Sequence, residues 1–460
     1  MPSTLVARKT VRTLPITSVD EAAYKRWLKR QSKATKEWVK ANEFEPKGSR
    51  ALLVPGPRGP REVIFGASAP NVWSYATLAQ RVPPGRYRFE PELDAAQATA
   101  AAIGWELAAY SFDRLKSAPA AGPRELVWPA NADRAEATRV FEAIAAVRDR
   151  INLPASEYGP FELAVDAARV ADRYGAEFRE VTGAPLESDY PAIAAVGRGS
   201  ARAPRLLDLR WGDPAHPKVT LVGKGVVFDA GGLNLKSSSG MLLMKKDMGG
   251  AAIVLGLAAM VMDAELPVRL RVLVPVAENM PSHQSYRPGD VLRMRNGKTV
   301  EVTNTDAEGR LILADALADA DVEQPALLID VATLTGAARY AVGPEITPFF
   351  TADGTVADEL ASAARRASES VWRLPLHGAY RRHLDSRVAD LRNSTATPFA
   401  GAITAALFLR EFVSKAERWI HLDVYGWCEH ARPGRPIGGE ATGMLPLWEL
   451  LKARYPRATA

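Results

Sequence analysis

The chain has 460 residues, 47% hydrophobic and 24% charged, an ordinary globular balance with length enough for two or more cores. Its net charge is +6 and its pI ≈ 9.3, but the 59 basic residues are scattered among 53 acidic ones, which argues against a disordered tail or a dedicated nucleic-acid binder. A single cysteine, Cys428, excludes an intrachain disulfide framework and fits a reducing, cytoplasmic setting; no apolar signal core opens the sequence, and its longest apolar run, Ala251 to Met262, is too short to span a bilayer.

In chain order, residues 20–42 have the spacing of one charged amphipathic helix. Short strands are predicted at 51–55, 62–67 and 86–90, separated by Pro and Gly clusters. An Ala-rich helix over about 94–117 and a strand at 125–128 complete a small α/β domain, residues 1–130. A helix over 131–150 connects it to a second domain, 151–460, and INLPASEYGP breaks that helix. From about 160 onward helices alternate with apolar strands at 218–223, 270–277, 299–304 and 326–333, with helical runs at 249–264 and 310–321. The alternation predicts an α/β fold with a largely parallel mixed sheet covered by helices, and in such sheets ligands bind at the carboxyl ends of the strands.

The charged residues of interest fall at those ends. In NTDAEGRLILADAL (304–317), Asp306, Glu308 and Arg310 sit within five residues where a strand hands over to a helix. Thr305 and Glu308 have capping-box spacing, which explains the glutamate and leaves Asp306 and Arg310 without a role. In VGKGVVFDAGGLNLKSSSGMLLMKKDMGGAA (222–252), Lys224, Asp229, Lys236 and Asp247 are interleaved with glycine pairs that let the backbone turn tightly. A salt bridge between Lys224 and Asp229 is the plain structural reading; the spacing of a phosphate-binding loop is absent. The six histidines, His216, His283, His377, His383, His421 and His430, form no HExxH pair, so a histidine zinc site is not indicated. Were Asp229, Asp247, Asp306 and Glu308 to converge, they would repel one another unless cations held them; two divalent ions balance four carboxylates and leave Lys236 and Arg310 for an anion. That balance suits a dinuclear hydrolase, for peptide or phosphate-ester bonds alike.

Those two segments, with the stretch at 279–310, LIDVATLTGA (328–337), the stretch at 374–393 and WIHLDV (419–424), resemble the leucine (cytosol) aminopeptidase family over about residues 148–455. The resemblance implies a metal-dependent enzyme that hydrolyses the N-terminal residue from peptides with a free amine, using a water activated by two Mn²⁺ or Zn²⁺ ions per subunit. It implies that Asp229 and Glu308 bridge the ions, that Lys224 and Asp247 complete one, and that Asp306 completes the other. Lys236 and Arg310 match the family's two catalytic residues, Arg310 holding bicarbonate. Met244, Thr333, Leu334, Gly336 and Tyr425 match positions that line the pocket for the first side chain. A cytoplasmic homohexamer is implied; DNA binding, known among some members, is the alternative role. The sequence departs from the family at Ser156, at His283 and above all at Tyr425, which stands where a small residue is usual.

Overall fold

The structure, a computed structural model, describes residues 3–10, 12–57, 59–117 and 122–457; the expected domain limits 1 and 460 lie outside these. The chain divides into two compact units, Met1–Ala145 with His430–Ile437, and Ala146–Glu429 with Gly438–Ala460.

The first unit holds β1 (Leu5–Val6), β2 (Leu14–Val19), β3 (Arg50–Gly56), β4 (Gly59–Gly66), β5 (Gly85–Phe89) and β6 (Arg124–Val127) in one sheet, ordered β1-β6-β5-β2-β4-β3. All its pairings are parallel except β3 with β4. The single helix expected over 20–42 is two, Glu21–Lys29 and Lys33–Ala41. Ser32 interrupts it by accepting a hydrogen bond from Thr35 N at 3.2 Å, because a hydroxyl next to the main chain favours a helix start over a helix interior. The Ala-rich helix, Ala95–Ala109, stops short of 117: it starts on Asp94, which accepts from Gln97 N, and ends where the following stretch turns polar and exposed.

The second unit is built on a nine-stranded mixed sheet. It comprises β7 (Glu177–Val181), β8 (Arg205–Trp211), β9 (Lys218–Gly223), β10 (Gly225–Asp229), β11 (Arg269–Asn279), β14 (Leu327–Ala332), β15 (Thr347–Phe350), β16 (Val371–Arg373) and β18 (Trp419–Asp423), in the order β16-β15-β18-β14-β9-β11-β8-β7, with β10 beside β11. The three intervening strands, β12 (Val291–Arg293), β13 (Thr299–Glu301) and β17 (Leu391–Arg392), form a separate small sheet. The run 299–304 therefore does not join the main sheet: strand pairing ends at Glu301, and Asn393 Oδ1 accepts from both Thr303 N and Asn304 N to turn the chain. Strand β8 has a charged face that conceals it in the sequence. Its Asp208 is matched across the sheet by Arg271 of β11, whose Nη2 lies 2.8 Å from Asp208 Oδ2 and 2.6 Å from Asp319 Oδ2.

Strands β9 and β10 are one line of chain broken at Lys224. Up to Gly223 it lies between β14 and β11; beyond Lys224 it follows β11 alone. Lys224 N still donates to Val331 O at 3.0 Å, and Lys224 O accepts from Ala251 N at 2.9 Å, so the lysine is fixed between sheet and helix. The helix Gly249–Asp263 covers this point and is buried along nearly its whole length, as an Ala- and Leu-rich segment inside a core should be. Its approach requires glycine: a Cβ on Gly250 would stand 2.1 Å from Val331 O and 2.9 Å from Lys224 N.

That contact inverts the usual helix preference. An interior Gly→Ala change ordinarily gains up to about 1 kcal/mol, whereas Gly250→Ala is expected to cost at least about 2 kcal/mol by overpacking against backbone. Chemical denaturation of the variant measures the sign.

Candidate active site

Five backbone segments deliver the expected residues to one place. Asp229 ends β10, Lys224 sits at the break before it, and Asp247 lies in the 3-10 turn Met244–Met248 ahead of the covering helix. Glu308 opens the helix Glu308–Val322, two residues earlier than expected, and Thr333 follows β14. The capping-box reading fails here. Thr305 Oγ1 donates to Gly231 O at 2.6 Å and accepts from Asn234 N at 2.8 Å, tying two loops together instead of capping the helix. Glu308 is thereby released from a capping role and faces Lys224.

The charges are close; Lys224, Asp229, Asp247 and Glu308 are buried, and Lys236 and Asp306 half-buried. Lys224 Nζ lies 2.7 Å from Asp247 Oδ2 and 2.9 Å from Glu308 Oε1, and donates to Thr333 O at 3.0 Å. Lys236 Nζ lies 2.8 Å from Asp229 Oδ2 and 2.6 Å from Asp306 Oδ1. Burial pulls both ammonium groups down, but the surrounding carboxylates hold each above its ordinary value. Glu308 and Asp306 are pushed above the usual carboxylate range, first by burial and then by the charge of Asp229, against the pull of the lysines. Carboxyl oxygens of Asp229, Asp306 and Glu308 lie within 4.8 Å of one another.

A polar scaffold fixes these groups. Asp229 Oδ1 accepts from Gly231 N and from Asn279 Nδ2, each at 2.8 Å. Asn279 Nδ2 also donates to Thr305 O, which accepts from Tyr286 OH at 2.6 Å. Thr333 Oγ1 donates to Asp247 Oδ1 at 2.8 Å. Asp423 accepts from Leu334 N, Thr335 N and Thr335 Oγ1, holding the loop that follows β14. The sequence pattern does not single out Asn279, Tyr286 or Asp423; their roles arise from contacts distant in the chain.

The residues fit divalent cations. Carboxylates from Asp229, Asp247, Asp306 and Glu308 outnumber the two ammonium groups among them, and hard oxygen donors are what Mn²⁺ accepts readily and Zn²⁺ tolerates. Asp247 Oδ2 and Asp306 Oδ1 touch the lysines without hydrogen-bond alignment, so both retain acceptor capacity in a buried setting.

One cleft of about 230 Å³ is lined by Lys224, Asp229, Lys236, Met244, Asp247, Asp306, Glu308, Thr333, Leu334, Gly336 and Tyr425. All the expected site residues but Arg310 therefore share it. Arg310 is buried behind: its Nη1 donates to Asn393 O at 2.8 Å, its Nε has no partner, and burial draws its guanidinium down to about 10. The same cleft is lined by Lys246, which lies within the 222–252 segment without an expected role, and by Arg339, which falls just beyond LIDVATLTGA. The Tyr425 hydroxyl donates to Glu429 Oε1 at 2.7 Å, so it is already partnered.

The fold and this cleft match known peptidases. The catalytic-domain model of the cytosol aminopeptidase family matches residues 145–446, and the aminopeptidase N-terminal domain of the same family matches residues 14–127. Peptidase B of Photorhabdus laumondii is 44% identical over 333 residues, 70% of this chain and 77% of the relative. The crystal structure of cytosol aminopeptidase from Coxiella burnetii superposes with a TM-score of 0.93 at 43% identity, over 98% of this chain and 99% of that one. The bottromycin maturation enzyme BotP in complex with Mn gives a TM-score of 0.86 at 32% identity, over 97% and 100%. The protein is thus a hydrolase of peptide bonds. More particularly, the chain belongs to the cytosol aminopeptidase family.

Gly309 packs directly against the Lys224 side chain. A Cβ there would lie 2.4 Å from Lys224 Cε and 2.6 Å from its Nζ. Gly309→Ala is expected to displace Lys224 and lower kcat/KM by about 10–100-fold, the range for disturbing a group that orients such a site. Steady-state kinetics, with circular dichroism to show the fold intact, checks this.

Proposed function

We propose that this enzyme is a two-metal aminopeptidase that removes the N-terminal residue from peptides bearing a free amine, and that it works as a cytoplasmic homohexamer. The observation that carries the reading is the cluster of buried Asp229 and Glu308 with half-buried Asp306, with Lys224 and Asp247 beside it, opening on a cleft. In this reading Asp229 and Glu308 would hold both ions, Asp247 one of them, joined by Lys224 once the ions' charge had displaced its proton, and Asp306 the other. Bound there, two Mn²⁺ or Zn²⁺ ions supply a Lewis acid for the scissile carbonyl and a water acidic enough to attack near neutral pH.

The chain's own residues supply the rest. Lys236 is held above its ordinary pKa by its acidic neighbours, so it stays protonated and acts as a donor to the oxyanion that develops on the attacked carbonyl. Arg310 is also protonated at neutral pH and cannot serve as a base. Its unpartnered Nε suits a small anion, and a bicarbonate held there would supply a proton acceptor that guanidinium lacks. Thr333 keeps Asp247 aligned, and Asn279 does the same for Asp229. The relatives' name as cytosol aminopeptidases supports the cytoplasmic assignment; among the described residues no helix is long and apolar enough to cross a membrane. The hexamer rests on the family resemblance, as do the domain limits 1–130, 131–150 and 151–460. DNA binding gains no support from the fold, the cleft or the relatives.

Two outcomes test the division of labour. Asp229→Ala or Glu308→Ala is expected to abolish turnover and deplete bound metal by elemental analysis; full activity in a metal-free preparation would sink the dinuclear reading. Lys236→Ala should lower kcat by about 10²–10³, the range for losing one oxyanion donor, with metal content near wild type. Loss of metal from that variant would reassign Lys236. Substrate choice gives a third test: N-acetylated peptides should resist cleavage, and longer free peptides should shorten one residue at a time from the N-terminus, followed by mass spectrometry.

A further inference from the structure

The cleft wall formed by Met244, Thr333, Gly336 and Tyr425 also carries two cations that the proposed chemistry does not use, Lys246 and Arg339. Lys246 is only 6% exposed. Among the described residues no carboxylate lies within ion-pair distance of its ammonium and no side chain or carbonyl accepts a hydrogen bond from it. Its one strong contact is the face of the Tyr425 ring, 4.7 Å from the centroid. Arg339 lies at the same distance from that centroid. Unlike Lys246, Arg339 has an acid nearby, Glu429 Oε1 at 3.8 Å, the same oxygen that accepts from the Tyr425 hydroxyl.

A buried ammonium without an anion is an unbalanced arrangement. Desolvation disfavours the charge, and an aromatic face returns only part of what water would have given. Leu243, Met244, Val424 and Gly336 line this wall, and the cleft's acids, Asp229, Asp247, Asp306 and Glu308, are engaged by Lys224 and Lys236, so a carboxylate entering along this wall meets a cation that none of them pairs. The tyrosine that departs from the family pattern acts here as a spacer: it orders Lys246 and Arg339 about its ring and sends its own hydroxyl to Glu429.

We propose that Lys246, with Arg339 adding to the local field, recognises the side-chain carboxylate of an N-terminal glutamate or aspartate, making the enzyme selective for acidic first residues. The proposal rests on the aminopeptidase reading and on the wall of Met244, Thr333, Gly336 and Tyr425 being the pocket for the first side chain. Lys246 binds and does not take part in bond cleavage. Gln, which matches Glu in shape and lacks its charge, is the natural comparison.

The test compares kcat/KM for Glu, Gln, Leu and Ala p-nitroanilides in wild type, Lys246→Met and Lys246→Arg, all loaded with the same metal. The anilides have no C-terminal carboxylate, so any acid preference is assigned to the first side chain. Wild type should favour Glu over Gln by at least about tenfold, the scale of discrimination a buried charged partner gives. In Lys246→Met the Glu/Gln ratio should fall to near one, chiefly through KM, and Lys246→Arg should restore most of it. Free glutamate should raise Tm of the wild type more than free glutamine does, and this advantage should vanish in Lys246→Met. A wild-type Glu/Gln ratio near one with good turnover of Leu or Ala anilide would overturn the inference and leave the aminopeptidase reading standing. So would a preference for Leu-Gly over Leu-glycinamide with no advantage for Glu, since the cation would then serve the peptide's terminal carboxylate. No turnover of any free-amine substrate would overturn both.

Discussion

Like-charge repulsion in a dry cleft is the constraint on which this structure depends. Asp229, Asp247 and Glu308 are buried, and half-buried Asp306 joins them, so water screens their charges poorly. Lys224 and Lys236 offset part of that repulsion, and the raised carboxyl groups of Glu308 and Asp306 show that it is not fully offset. An arrangement of this kind stabilises nothing by itself. It persists because the surrounding sheet and helices hold the backbone in place, and it gives a divalent cation a prepared set of oxygen donors.

The scaffold achieves this by breaking a strand. Lys224 interrupts β9 and β10, and the sheet continues on either side of the break through β14 and β11. Helix Gly249–Asp263 and helix Glu308–Val322 approach closely enough that Gly250 and Gly309 have no room for a Cβ. The side chains that carry charge are fixed from behind by Asn279, Tyr286, Thr305 and Thr333, each partnered to a main-chain or carboxylate oxygen of the site. Rotational freedom at the cluster is small, which is what an enzyme needs where electrostatic groups must act without reorganising.

The same cleft separates two sets of charges. In the proposed chemistry the reacting end is the acid and lysine cluster. The other wall is set by Tyr425, around whose ring Lys246 and Arg339 are arranged. Because the ring sends its hydroxyl to Glu429, Tyr425 does more than fill space: Lys246 and Arg339 both lie over its faces beside the cleft.

The sequence by itself determined the α/β class, the order of most elements of the second unit and eleven residues that share the cleft, because continuous apolar strands and motif-borne acids carry their signal locally. What depends on partners far along the chain was decided only by the tertiary structure. Strand β8 is concealed by Asp208, whose charge is matched only when Arg271 arrives from β11. Helix 20–42 is split by a single side-chain-to-backbone bond at Ser32, and 299–304 leaves the main sheet because Asn393 turns it. Thr305 and Glu308 have the spacing of a cap, but the hydroxyl is claimed by Gly231 and Asn234 from another loop. Lys246 lies within the 222–252 segment without a role there; only the folded chain buries that ammonium against Tyr425 and turns the neighbouring Asp247 to Lys224 instead, since pairing and burial are properties of three-dimensional neighbours and not of spacing along the sequence.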